Sequence, residues 1–202
     1  MKYILTDETI IMWGKTLYRI KALRDLPGGV TPGDLGGYVE SERNLAQSGT
    51  AWIYGNALVF GDAQVFGNAR VYGNARISGD ARIYGSARIY GDAEVYGNAL
   101  VLGNAQVYDN ALVYDSARVF GDARVCGNAL IYGDARVCGN ALVGRNARIY
   151  GNARVGGTAL VLGNAWIYGN ARVLGNAWIY GNARVYDNAR VCGDAQVCGK
   201  DG

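Results

Sequence analysis

Residues 69–86 read Ala-Arg-Val-Tyr-Gly-Asn, Ala-Arg-Ile-Ser-Gly-Asp, Ala-Arg-Ile-Tyr-Gly-Ser. The same unit, Ala-x-(Val/Ile)-x-Gly-(Asn/Asp), runs outward in both directions. Alanine falls at every sixth position from Ala51 to Ala195, and Val or Ile follows two residues later from Ile53 to Val197. No insertion shifts the frame in that span. A short fixed period is the mark of a solenoid, and a six-residue period points to a parallel β-helix. Within each unit the first and third residues point one way and the second and fourth the other. The Ala and Val/Ile side is uniformly small and apolar, so it faces a core. The other side mixes Arg, Leu, Gln, Trp, Tyr and Cys. Gly with Asn or Asp then forms a corner, because both tolerate positive φ.

Composition agrees. The chain has 202 residues, 31 Gly and only 2 Pro, which excludes a Pro-rich linker. Its net charge is +3, from 20 basic and 17 acidic residues, short of a nucleic-acid-binding signature. No apolar run is long enough to span a membrane. Lys2-Tyr3-Ile4-Leu5 resembles the start of a signal peptide, but Asp7 and Glu8 interrupt it. The expected location is therefore cytoplasmic, with phage or surface association as an alternative.

Residues 1–34 lack the repeat. Met1 to Leu5 predicts a short strand, and Ile10–Trp13 with Thr16–Leu23 predicts a hairpin around Gly14-Lys15. The turn-rich stretch from Arg24 to Asp34 follows. Residues 1–34 are expected to form an N-terminal β cap and residues 35–202 the β-helix. The first hexads, from Leu35, Ser41 and Gln47, are looser: Leu35 takes a Val slot, and Val39 and Leu45 take Ala slots. At about 4.8 Å per coil, some nine coils make a rod roughly 45 Å long.

The aliphatic residue followed four positions later by a small one, as Val71 is by Ala75, resembles bacterial hexapeptide transferases. The lead-in is more specific. Tyr18-Arg19-Ile20-Lys21-Ala22-Leu23, Gly33 to Glu40, Asn44-Leu45-Ala46-Gln47 and Trp52-Ile53-Tyr54 are similar to YdcK-like proteins, which carry an acyltransferase label. The resemblance implies a single-stranded, left-handed, triangular β-helix with 18 residues per coil. The transferases use a histidine as general base, and related carbonic anhydrases bind zinc through three histidines. This chain has no histidine. It is expected to be no enzyme, with no catalytic residue, cofactor or metal. Corner acids such as Asp62, Asp80, Asp92, Asp122, Asp134 and Asp194 read as turn formers. Fold does not fix function.

Sorting outward residues by coil position gives three faces. One carries Phe60 and Ser78, then Tyr96, Tyr114, Tyr132, Tyr150, Tyr168 and Tyr186. A second carries Arg118, Arg136, Arg154, Arg172 and Arg190 in consecutive coils. The third is mixed, with Tyr54, Tyr72, Tyr90 and Tyr108 before Cys126, Gly144 and Leu162. Tyr favours strands and stacks on itself. Like charges opposite one another repel, and a bound polyanion relieves them. Cys126 pairs in face with Cys198, and Cys138 with Cys192, too far apart to bridge. The expected function is a non-enzymatic structural solenoid that self-associates and presents Tyr and Arg faces. Alternatives are a glycan- or polyanion-binding module and an acyltransferase relative without its histidine. Nucleic acid is the least expected ligand. The repeat stops at the C-terminus with only Lys200 and Asp201 to blunt its edges. That predicts tail-to-tail dimerisation through Val191, Cys192, Val197 and Cys198, with a trimer or polymer as alternatives.

Overall fold

The computed structural model describes residues 1–199; Lys200 and Asp201 lie outside the described residues. The chain is an all-β parallel solenoid of about nine coils, with about 18 residues in each. Strands, most of them two residues long, recur every six residues from Trp52–Ile53 to Arg190–Val191. They stack into three sheets, one per side of the coil. Register is strict: Arg118 pairs with Arg136, and Val119 with Val137, in parallel. Each hexad binds the next coil through its backbone. Arg118 N–H donates to Ala135 O at 2.9 Å, Phe120 to Val137 at 3.0 Å and Asp122 to Gly139 at 2.8 Å. The core is the column predicted from the repeat. Every alanine from Ala51 to Ala177, and every Val or Ile from Ile53 to Ile179, is fully buried.

The corners divide their labour more finely than composition indicates. Positive φ belongs to the fifth slot, as at Gly79 with φ 66°. Where that slot lacks glycine, Asp109, Asp115, Arg145 and Asp187 hold φ between 55° and 59°. Close stacking adds a second demand for glycine, since a Cβ on Gly79 would lie 2.8 Å from Gly97 N. The sixth-slot Asn has another task. Its side chains form ladders: Asn128 Nδ2 donates to Asn146 Oδ1 at 3.1 Å, Asn146 to Asn164 at 3.0 Å and Asn164 to Asn182 at 2.9 Å. The reading of Asn as a positive-φ residue is corrected accordingly.

Residues before the repeat also depart from expectation. Met1–Leu5 is not a separate strand. One strand, β1 (Tyr3–Met12), pairs antiparallel with β2 (Lys15–Ala22), with an irregularity between Leu5 and Thr9. The turn is Trp13-Gly14, both at positive φ, rather than Gly14-Lys15. A third strand, β3 (Leu35–Val39), runs antiparallel to β2 and parallel to Leu58–Val59. Val39 aligns with Val59, and Leu45 with Val65, so both fill Val slots and not Ala slots. Two extra residues before Ala51 absorb the difference. Leu35 is exposed and fills no core slot. Lys2 and Tyr3 are fully buried against this first coil. Lys2 Nζ donates to Ala51 O at 2.8 Å, and the Tyr3 hydroxyl donates to Leu45 O at 2.7 Å.

Candidate functional site

The six tyrosines form one continuous stack. Ring centroids of Tyr96, Tyr114, Tyr132, Tyr150 and Tyr168 follow at 4.9 to 5.0 Å, and the Tyr168–Tyr186 step is 5.4 Å. Successive rings are tilted by only 2° to 14°. The cause is the register: Glu94 pairs with Leu112 and Val95 with Val113, so the next outward residue lies directly over its equivalent. Stacking has a functional consequence. Each inner ring has a tyrosine on either side, so only edges and hydroxyls face solvent. Burial, the largest cause, pushes the phenols of Tyr96, Tyr114, Tyr132 and Tyr150 above their ordinary range. On the same face Trp166 sits between Arg148 and Arg184, whose guanidinium carbons lie 5.0 and 5.1 Å from its ring centroid.

The arginine column is equally regular. Arg118, Arg136, Arg154, Arg172 and Arg190 are direct ladder partners, coil by coil. It lies on a different face from the tyrosine stack, one corner away, so the two do not make one groove. Its electrostatics distinguish it. All three ion pairs among the described residues lie early in the chain: Lys15–Glu40, Arg19–Glu8 and Arg76–Glu94. None involves an arginine from Arg118 onward. Charge follows the same division. Residues 118–199 hold nine arginines against four aspartates, a net +5, while residues 1–117 hold ten basic against twelve acidic residues, a net −2. The whole-chain value of +3 conceals a rod that is basic in one half.

Beside the arginines on this face lies a small apolar strip made by Cys138, Gly156 and Leu174. A Cβ on Gly156 would meet Cys138 Sγ at 3.0 Å and Leu174 Cδ2 at 3.3 Å, so these neighbours lean over the gap. The Cys138 thiol is pushed up by burial, against the opposing pull of Arg136 and Arg154, so it is no activated nucleophile. All four cysteines are free. Cys126 and Cys138 are half-buried, Cys192 and Cys198 exposed. Among the described residues no three Cys, Asp or Glu side chains form a group able to hold a metal ion. An apolar hollow of about 240 Å³ opens on the mixed face among Leu160, Leu162, Trp178, Tyr180 and Gln196, without a charged group in its lining. At the far end of the rod, Val191 and Val197 are half-buried and Ala189 and Ala195 exposed, whereas Ala183 and Val185, one hexad before Ala189 and Val191, are buried.

Comparison with known families accounts for this architecture. The family described as YdcK Beta solenoid repeat matches residues 51–65, 63–76, 75–91, 105–121, 123–137, 147–163, 165–181, 177–193 and 183–199, more than half of the chain. The chain belongs to the YdcK beta solenoid repeat family. That membership accounts for the coil stacking. No protein of curated function matches the sequence. Among the described residues no helix is long and apolar enough to cross a membrane.

Proposed function

We propose that this YdcK-family solenoid is a non-enzymatic structural rod that presents its arginine column to an extended polyanion. The observation that carries the reading is the column itself: five arginines in direct register, none with an ion-pair partner among the described residues. Two unit charges 4 Å apart repel by about 1 kcal/mol even in bulk water. Repeated at each step of the ladder, that cost is offset when a chain of opposite charge lies along it. The basic half of the rod extends the same field onto the neighbouring faces. The tyrosine stack supplies rigidity, since its ring faces are taken up by one another.

The test is binding of fluorescent dextran sulfate across a salt series. Polyelectrolyte binding predicts affinity falling linearly on a log–log plot with salt. Arg136→Ala with Arg154→Ala should reduce both affinity and slope. Absence of binding at low salt rejects the proposal.

Exposure of Ala189 and Ala195 supports a second element of the reading, self-association through Val191, Cys192, Val197 and Cys198. Tail-to-tail pairing buries those residues in an isologous contact. Sedimentation of the wild type against Val191→Asp with Val197→Asp tests it. A dimer lost in the variant supports the contact, and an unchanged mass rejects it.

A further inference from the structure

We infer that the polyanion suited to the arginine face is an acidic polysaccharide with one carboxylate on each sugar. The inference rests on the polyanion reading above and narrows it. The first argument is spacing. The ladder presents one guanidinium per coil, and strands in a sheet repeat at about 4.8 Å. A pyranose is about as long as that repeat, so a uronate polymer carries about one negative charge per arginine of the ladder. A fully acidic extended peptide carries one per about 3.3 Å. Duplex nucleic acid carries one per about 1.7 Å of its axis. Both crowd more charge along the ladder than five arginines neutralise.

The second argument is the surface beside the charges. Arg154 and Gly156 point to one side of their strand, two residues apart. The apolar strip of Cys138, Gly156 and Leu174 therefore runs alongside the arginines. A sugar ring has apolar C–H surface to lay on such a strip, and a polyphosphate has none. The third argument is what the protein lacks for nucleotides. Single-stranded nucleic acid is held by bases stacked on open aromatic faces. Here the long tyrosine column lies on another side, and its rings stack on one another. Carboxylate is also the planar partner that a guanidinium fork binds with two parallel hydrogen bonds.

The experiment is calorimetric titration of the full chain at about 0.1 M salt, where distant charges are screened. Four probes are compared at equal concentrations of charged or equivalent units: polygalacturonate, its fully methyl-esterified form, polyphosphate and oligo(dT). We expect polygalacturonate to bind at least about tenfold more tightly than polyphosphate or oligo(dT), and the ester not to bind. Arg136→Lys with Arg154→Lys keeps the charge and removes the fork, and should weaken polygalacturonate binding. Leu174→Asn should weaken polygalacturonate and leave polyphosphate unchanged. Leu174 is already 37% exposed, and circular dichroism verifies that each variant is folded. If polyphosphate or oligo(dT) binds as well as polygalacturonate, the sugar inference is overturned while the polyanion reading stands. If no probe binds, the sugar inference falls, and the polyanion reading falls with it only where dextran sulfate also fails to bind at low salt. Equal binding of the ester overturns the role of the carboxylate.

Discussion

Arg145 holds φ at 59° in a corner slot that glycine fills in most coils. A side chain in that left-handed conformation costs roughly 1–2 kcal/mol, part of which glycine returns as unfolded-chain entropy. Arg145→Gly should therefore raise stability by up to about 1 kcal/mol, read as a higher urea midpoint. Its neighbour one coil earlier behaves oppositely. A Cβ on Gly127 would stand 2.8 Å from Arg145 N, and Gly127 has φ 65°, so Gly127→Ala should destabilise. Lys2 sets a pH dependence. Burial, the larger cause, and the Arg24 charge lower its pKa from 10.5 to about 8. Between those values the unfolded chain binds a proton that the folded chain does not, so stability rises with pH across the window. At 1.36 kcal/mol per unit, the full gain is roughly 3 kcal/mol. Burial first, and then Glu42, raises the Tyr3 phenol, so from about pH 10 the unfolded state sheds a proton that the folded state keeps, and stability turns down. Urea midpoints should climb from pH 8 to pH 10, and Lys2→Met should flatten the climb. A wild-type midpoint that falls over that range contradicts the assignment.

At the scale of the elements, the tyrosine stack behaves as one unit. The phenols of Tyr96, Tyr114, Tyr132 and Tyr150 are all raised by burial, and those of Tyr114, Tyr132 and Tyr150 also by neighbouring tyrosines. Absorbance titration should show a group of tyrosines ionising above the ordinary value near 10, with unfolding coupled to it. Aromatic pairs contribute about 0.5–1.5 kcal/mol beyond area burial, so Tyr132→Ala, which breaks two steps, should cost roughly 1–3 kcal/mol. A loss no greater than for Tyr186→Ala, which breaks one step, argues against a cooperative stack. Period-two alternation made the core and the outward columns legible, because Ala and Val/Ile never exchange sides from Ala51 onward. The slots of Val39 and Leu45 are not legible because an apolar residue satisfies either core slot, and only pairing with Val59 and Val65 decides between them. The Asn ladders escaped because a corner asparagine reads as a turn former, while its partner lies 18 residues away. The burial of Lys2 is not legible because Lys2-Tyr3-Ile4-Leu5 resembles the start of a signal peptide, whereas here Ala51 O, 49 residues on, accepts its ammonium proton.

The whole molecule is a one-dimensional stack in which each coil touches only its neighbours, so stability is expected to vary along its length. Charge varies with it: the face columns could be sorted from the repeat, but the split between an acidic and a basic half is hidden in a net +3. At one end Lys2 and Tyr3 seal the first coil; at the other, Ala189 and Ala195 are exposed. Local opening should follow this asymmetry. Hydrogen exchange of the monomer should be fastest at Arg184–Val185, Arg190–Val191 and Gln196–Gly199, slow through the central coils, and slow again at Trp52–Ile53. Uniform protection would contradict nearest-neighbour behaviour. A bound polyanion stabilises only the states that hold the arginine ladder in register, by an amount set by its concentration relative to its affinity. Its protection should therefore appear between Arg118 and Arg190 and leave the strands before Arg118 unchanged. Protection spread evenly over the rod would mean a diffuse charge effect, and protection confined to the acidic half would place the binding surface elsewhere.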